Sequence, residues 1–391
     1  MTKSNLARIV LVWTALAAVT VRADDNPPAA WSAVRDTMQQ YVDRHQISGA
    51  VTLVASPDRV LALDAVGSAD IAAAKPMAAD TIFALASMTK PVTATAFLML
   101  YDDGKLSLDD TVGKYIPELA HLKTSNGAEH IVTLRQLLTH TSGLAEAAGD
   151  RSRSARTLAE LIPAFADQPL QFAPGTKWKY CQSGMNTLAR IIEVVSGRSF
   201  PDFLQDRLFT PLGMKDTTFY PTKDQIPRIA RSYRMIRGQL QESPTPIIST
   251  HNPAARDYYP AAHAGLFSTA PDYGRFARMV LSDGTLDGRH YLKPETVRLM
   301  STLQTADLDV PHTPGAGWGL GWCVLKHPQG INAMLPTGAF GHGGAYGTQV
   351  WIDPRKQLAF ILMVQRADFN NNDPKNVRIA FQRAVAAVAY P

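Results

Sequence analysis

Ile82-Phe83-Ala84-Leu85-Ala86-Ser87-Met88-Thr89-Lys90-Pro91 passes from a strand-like apolar run into a helical stretch that reaches Tyr101 and is closed by Asp103-Gly104. Ser87-Met88-Thr89-Lys90 is the only Ser-x-x-Lys in the 391 residues. Residues three apart on a helix share a face, about 5–6 Å apart at Cβ, so an amine at 90 can reach a hydroxyl at 87. A helix start adds unpaired N–H groups and a positive partial charge, which favour an oxyanion and disfavour the ammonium form of Lys90. Pro91 near the first turn costs little, because an N–H there has no helical partner. A free lysine titrates near 10.4, so a neutral amine at pH 7 needs a drop of about 3 pH units, roughly 4 kcal/mol, which burial can supply. The tetrad also reads as a helix-capping Ser87 with a solvated Lys90. The rest of the chain has to decide between the two.

Upstream, Trp31, Val34, Met38 and Val42 recur at helical spacing. Two strand-like runs follow, Ala50–Ala55 and Val60–Ala65, joined by the turn residues Ser56-Pro57-Asp58. From about Ser87 to Pro211 the texture is helical. Thr133 is placed to cap Leu134–Leu138 and Thr157 to cap Leu158–Ala166; Met185–Ser196 stops at Gly197, and Ser199 opens a short helix ending before Pro211. The last third is mixed. Gly265–Thr269 reads as a strand and Arg275–Leu281 as a helix. Strand-like runs follow at Trp318–Leu325, Gly347–Ile352 and Leu358–Val364, with the turn Asp353-Pro354-Arg355-Lys356 between the last two and a helix at Asn376–Val388. Two connections too short for a crossover helix imply an antiparallel sheet. Strands at both chain ends with helices between them predict one sheet built from both termini around a helical insertion.

The composition, 46% hydrophobic and 19% charged, is globular. Lys3 and Arg8 precede an apolar run, Ile9–Val21, and Val21-Arg22-Ala23 places small residues before a possible cut. This is the layout of a secretory signal peptide over residues 1–23, with an uncleaved anchor as the alternative. Without that segment's three cations, Lys3, Arg8 and Arg22, the formal charge falls from +5 to +2. The remaining charges of both signs are interspersed, which argues against a nucleic-acid groove. No later run is long and apolar enough to span a membrane. The cysteines, Cys181 and Cys323, could pair in an exported chain but read better as free buried thiols. No histidine spacing suggests a metal site.

The α/β-hydrolase signature Gly-x-Ser-x-Gly is absent. Two other segments bear on the tetrad. In Phe172-Ala173-Pro174-Gly175-Thr176-Lys177-Trp178-Lys179-Tyr180-Cys181-Gln182-Ser183-Gly184 a Pro-Gly turn leads to a tyrosine just before a helix. In Phe340-Gly341-His342-Gly343-Gly344-Ala345-Tyr346-Gly347 glycines let a strand edge approach a ligand closely. With Ser87 and Lys90, these segments resemble the serine β-lactamase and penicillin-binding-protein superfamily, in the class C-like branch of class C β-lactamases, DD-peptidases and family VIII carboxylesterases. Leu137-Leu138-Thr139-His140-Thr141-Ser142-Gly143-Leu144, Gly265-Leu266-Phe267-Ser268-Thr269 and Pro211-Leu212-Gly213-Met214 look the same way. The resemblance runs from about Trp31 to Val388.

It implies an α/β, β-lactamase-like fold: an antiparallel sheet flanked by helices, with an inserted mainly helical domain. The sheet domain would comprise residues 24–85 and 255–391 and the helical domain residues 86–254, with the site between them. It implies that Ser87 is acylated, that Lys90 and Tyr180 share its proton, and that the backbone N–H groups of Ser87 and Ala345 hold the oxyanion. Gln182, His342, Gly343, Gly344 and Ala345 would line the substrate site, with no metal and no organic cofactor. Two departures stand out. Gln182 fills the place of an asparagine, and His342-Gly343-Gly344 replaces Lys-Thr-Gly, removing the fixed cation that meets a β-lactam or peptide carboxylate. Both are common among the esterases. The implied activity is hydrolysis of small carboxylic esters by an exported enzyme, periplasmic or secreted. A β-lactamase or D-amino-acid peptidase is the alternative, ahead of an acyltransferase or a silent binding or sensor protein. The irregular stretches Ala145–Gln171 and Gln239–Ala264 are expected to shape the pocket.

Other residues tempt and are set aside. His140 and Ser142 look structural by position in the family. Cys181 beside Tyr180 reads as a small buried filler. Asp102, Asp103, Asp109 and Asp110 read as solvated loop acids, and Trp318 and Trp322 as core and cleft-wall residues.

Overall fold

The computed structural model describes residues 29–305, 308–311, 313–368 and 376–390. The signal segment expected at 1–23 lies outside them. Val60–Asp70 (β2) folds back on Gly49–Ala55 (β1) through the Ser56-Pro57-Asp58 turn, and Lys75–Pro76 (β3) pairs next to it. The other strands come from the far end of the chain: Ala316–Trp318 (β4), Cys323–Leu325 (β5), Phe340–Gly343 (β6), Gln349–Asp353 (β7) and Leu358–Met363 (β8). They form one eight-stranded sheet in the order β4-β5-β6-β7-β8-β1-β2-β3, with every neighbour antiparallel. The seam joining the two chain ends is β1 against β8, with Val51 opposite Met363 and Ala55 opposite Ala359. All seven residues of β1 are buried, as a central strand covered on both faces requires.

Ser32–Asp43 (α1) and Val377–Ala389 (α5) pack together over one face, with Trp31, Val34, Met38, Phe360 and Phe381 in one apolar cluster. Ala270–Leu281 (α4) covers the other face, where Val51, Leu53 and Ile361 join Phe276 and Val280. Beyond it lies the helical body, built around Thr89–Asp102 (α2) and Gln182–Ser196 (α3). Residues Thr89 to Leu100 are buried without a break, so α2 has no solvent face and forms the axis of that body. Thr133 and Gln136 make a reciprocal capping box at Leu134–Leu138.

Several local expectations need correction. Trp318–Leu325 is two strands: Gly321 at φ +80 turns the chain, and Leu320 and Trp322 fill the core from the turn. Ile82–Leu85 and Gly265–Thr269 shrink to the two-residue ladder Phe83–Ala84 with Phe267–Ser268, apart from the main sheet. The helix opened by Ser199 runs past Pro211 through a π turn at Gln205–Phe209 to Gly213, since proline is tolerated in the first turn after that break. Leu158–Ala166 is broken before Pro163. Strand β2 continues five residues past Ala65, and α3 and α4 begin earlier than expected, at Gln182 and Ala270. The loop acids are tied down rather than merely solvated: Asp102 accepts from Lys293 N–H and the Thr296 hydroxyl, Asp103 pairs with Arg207, Asp109 with Arg135, and Asp110 accepts from Tyr115.

Candidate active site

Ser87 sits in a single 3-10 turn, Ala86–Met88, that runs directly into α2, so it precedes the helix rather than lying on it. Ala86 just before it adopts φ +49, a region that non-glycine residues rarely enter. The turn is anchored by Leu85 N–H to Leu266 O at 2.9 Å and Met88 N–H to Leu85 O at 3.3 Å. Ser87 remains half-exposed, facing a cleft of about 740 Å³.

Lys90 is fully buried one turn on. Its Nζ donates to Ser87 Oγ at 3.1 Å and to His263 O at 2.8 Å, and lies 4.4 Å from the centre of the Tyr180 ring. Burial pulls Lys90 down from 10.5 to about 7, opposed by the charges of Glu146 and then Cys181. The solvated-lysine reading is therefore excluded. Burial drives Tyr180 the other way, well above its ordinary value, with only a hydrogen bond from Ser87 working against it. Near neutral pH a phenolate at 180 is negligible, whereas burial brings the neutral amine of Lys90 within reach. Lys90 is the group in this cluster able to take a proton from Ser87.

Tyr180 owes its position to backbone pinned on both sides. Lys179 N–H donates to His140 O at 3.0 Å and Cys181 N–H to His140 Nδ1 at 3.2 Å, and the His140 ring lies 4.7 Å from the Tyr180 ring. His140 therefore has the structural place expected of it. Ser142 is buried and accepts from Leu144 N–H at 3.3 Å. Cys181 caps α3 through Sγ, and burial raises its thiol to about 12, as it does for Cys323; both are free.

His342 lies on β6, buried, with Trp318 edge-on at 5.6 Å. Its Nδ1 faces Gly343 O at 2.8 Å, so it is the N–H donor, and Nε2 is left to accept from the Tyr180 hydroxyl at 3.5 Å. The imidazole is thus turned toward Tyr180. Strand β5 pairs with β6 only at Gly341 and Phe340, so the edge at His342 and Gly343 opens on the cleft. Gly344 must be glycine: a Cβ would lie 2.0 Å from Thr348 Oγ1 and 2.4 Å from Leu85 O. Ala345 is exposed at the tip of the turn, and neither its N–H nor that of Ser87 bonds within the described chain. Gln182 is exposed at the cleft mouth, with its N–H on Glu146 Oε1 at 2.7 Å.

Sequence reasoning missed Glu146, His263, Asn186 and Arg378. Glu146 receives the first two N–H groups of α3, at Gln182 and Ser183, and its charge reaches Lys90. Asn186 Oδ1 accepts from Ala262 N–H at 3.0 Å, fixing the segment that offers the His263 carbonyl. Among the described residues, none of the expected pocket-shaping stretches lines the cleft, whose outer walls are Pro311, Thr313, Pro314 and Gln329–Asn332. Residues 145–171 and 239–264 act from behind, through Glu146 and the His263 carbonyl.

A sheet that joins both chain ends, with a serine and a tyrosine at the cleft around a buried lysine where the sheet meets the helices, defines a serine hydrolase of the β-lactamase and penicillin-binding-protein kind. The family model described as Beta-lactamase matches residues 34–384, and the chain belongs to that family. Esterase EstB of Burkholderia gladioli is 30% identical over 381 residues, covering 89% of this chain and 93% of its own. Penicillin-binding protein 4 of Amycolatopsis lactamdurans is 34% identical over 275 residues, covering 69% and 68%. The solved structure of EstCE1, a hydrolase with promiscuous acyltransferase activity, superposes with a TM-score of 0.79 at 25% identity, covering 91% of this chain and 98% of that one. The fold is β-lactamase-like, and among the described residues no helix is long and apolar enough to cross a membrane.

Proposed function

We propose that this enzyme is a carboxylesterase working through an acyl-Ser87 intermediate. Neutral Lys90 takes the Ser87 proton as Oγ attacks the ester carbonyl. The N–H groups of Ser87 and Ala345, left unpaired by the fold, receive the oxyanion, each worth about 3–4 kcal/mol. The proton passes through Lys90 and the neutral Tyr180 phenol to the departing alcohol. Water then attacks the acyl group by the same route in reverse, releasing the acid and restoring the Ser87 hydroxyl. Gln182, His342, Gly343 and Gly344 border the bound ester.

The observation that carries the ester reading is His342. Where a lactamase or DD-peptidase presents lysine to a substrate carboxylate, this chain presents an imidazole already engaged with Gly343 O and Tyr180. Simple esters carry no carboxylate and need no cation there. The likeness to an esterase supports the same choice. The acyltransferase activity named for EstCE1 favours a second reading, transfer of the acyl group to an alcohol when one outcompetes water. The charged start and the apolar run Ile9–Val21 support action outside the cytoplasm.

The test is the ratio of kcat/KM for nitrocefin to that for p-nitrophenyl butyrate at pH 7. A ratio below one is expected in the wild type, rising about five-fold, or about 1 kcal/mol, in His342→Lys. A wild-type ratio far above one would place the enzyme among the lactamases.

A further inference from the structure

We propose that Arg378, near the start of the last helix, is a positioning residue for the oxyanion: it holds and polarises the Gly344–Ala345 peptide so that the Ala345 N–H points into the cleft. The inference rests on the acyl-Ser87 reading. The Arg378 guanidinium is buried, donates through Nη2 to Gly344 O and lies with Nε 3.5 Å from Gly347 O. The carbonyl of Gly344 and the N–H of Ala345 belong to one amide. The chain has no cis peptide among its described residues, so the two groups point in opposite directions across that plane. A cation on the oxygen side therefore fixes which way the N–H faces. It also draws electron density toward oxygen and makes the N–H a stronger donor.

The location is an expensive one for a cation. Burial pulls Arg378 down to about 10, and the second residue of a helix lies in the positive end of its dipole. A residue kept only for packing on α5 would be apolar there. The backbone that carries this side chain is held on both sides. Asn376 Oδ1 accepts from Arg378 N–H at 2.9 Å, Gln349 Nε2 donates to Arg378 O at 3.3 Å, and Gln382 Nε2 donates to Gln349 Oε1 at 2.9 Å. The turn is clamped from the other side as well. Gly344 N–H donates to Thr348 O at 2.8 Å, and Thr348 Oγ1 donates to Leu85 O at 3.0 Å, two residues before Ser87. With Thr348 tying the turn to the Ser87 segment and Arg378 setting the tilt of its peptide, the two oxyanion donors keep one fixed separation.

The experiment compares wild type, Arg378→Met and Arg378→Lys with p-nitrophenyl butyrate. Each preparation is normalised to the fraction of molecules that a fluorophosphonate labels, so unfolded protein does not count. The second readout is the inhibition constant of a trifluoromethyl ketone, whose hydrated or serine-bound form carries the oxyanion. Arg378→Met is expected to lower kcat at least about ten-fold, a fraction of the roughly 10²–10³-fold loss from deleting a donor outright. KM should stay within about two-fold, ketone binding should weaken by the same factor as kcat/KM, and Arg378→Lys should recover part of the loss. An unchanged kcat per labelled site in both variants, or a fall in kcat without weaker ketone binding, overturns the proposal. If Arg378→Met does not fold, Arg378→Lys is judged alone by the same criteria. Ser87→Ala runs alongside: activity surviving there defeats the acyl-Ser87 reading, whereas failure confined to the Arg378 variants defeats only this one.

Discussion

Replacing Lys90 with methionine should abolish activity and yet make the folded protein harder to unfold at neutral pH. The amine is wholly buried, and its pKa falls from 10.5 to about 7 on folding, chiefly by desolvation. A base whose folded pKa lies below its unfolded one gives up protons on folding. Unfolding therefore takes up a proton between about pH 7 and 10.5, and stability rises with pH across that window. At 1.36 kcal/mol per pH unit, the burial of Lys90 costs about 4 kcal/mol at pH 7 and about 1 kcal/mol at pH 9.5. Methionine, of similar length, has no such cost. It also forfeits the hydrogen bonds to Ser87 and His263, but that loss hardly changes with pH and cancels between the two conditions. The assay is urea unfolding followed by circular dichroism, on wild type and variant at pH 7.0 and 9.5, with linear extrapolation. The advantage of Lys90→Met over wild type should shrink by about 3 kcal/mol from pH 7.0 to 9.5. An advantage that stays the same at both would mean that folding does not depress Lys90, and the proposed base would be lost.

Glu146→Gln removes the charge that works against this depression, so Lys90 should titrate lower and the acid limb of kcat/KM for p-nitrophenyl butyrate should move to lower pH. A limb that stays or rises would refute the coupling. Cys181 and Cys323 are buried, free and held up to about 12. Ellman's reagent should count two thiols in urea and react at least about a hundred-fold more slowly with native protein; a count below two would show a disulfide.

What could be read from the residues was what repeats or caps. The Ser56-Pro57-Asp58 hairpin, the cap at Thr133, the stop at Gly197 and the strand pair around Asp353-Pro354 all leave local signatures, and the two-ended sheet followed from where the strands fell. The tetrad placed Ser87 and Lys90 together because three residues of one helical turn already bring them within reach. The misreadings have physical causes. Trp318–Leu325 looks like one apolar strand because the turn residues Leu320 and Trp322 are themselves core residues, and only Gly319 and Gly321 hint at the bend. His263 contributes a carbonyl, which any residue carries, so its side chain says nothing. Glu146 lies 36 residues from the helix start it serves. The available clue was a helix whose cap, Cys181, is a poor acceptor, leaving N–H groups in want of an anion. Arg378 hid in an ordinary amphipathic helix, and only the fold reveals that it ends beneath the turn beside Ser87.

The central claim is that Ser87, and no other serine, becomes acylated. The most direct measurement is intact-mass and peptide mapping of the protein after a fluorophosphonate, in wild type, Ser87→Ala and Ser142→Ala. One adduct per chain on the peptide containing Ser87 is expected in wild type and in Ser142→Ala, with no adduct and no esterase activity in Ser87→Ala. An adduct that persists in Ser87→Ala, or maps to Ser142, would contradict the account.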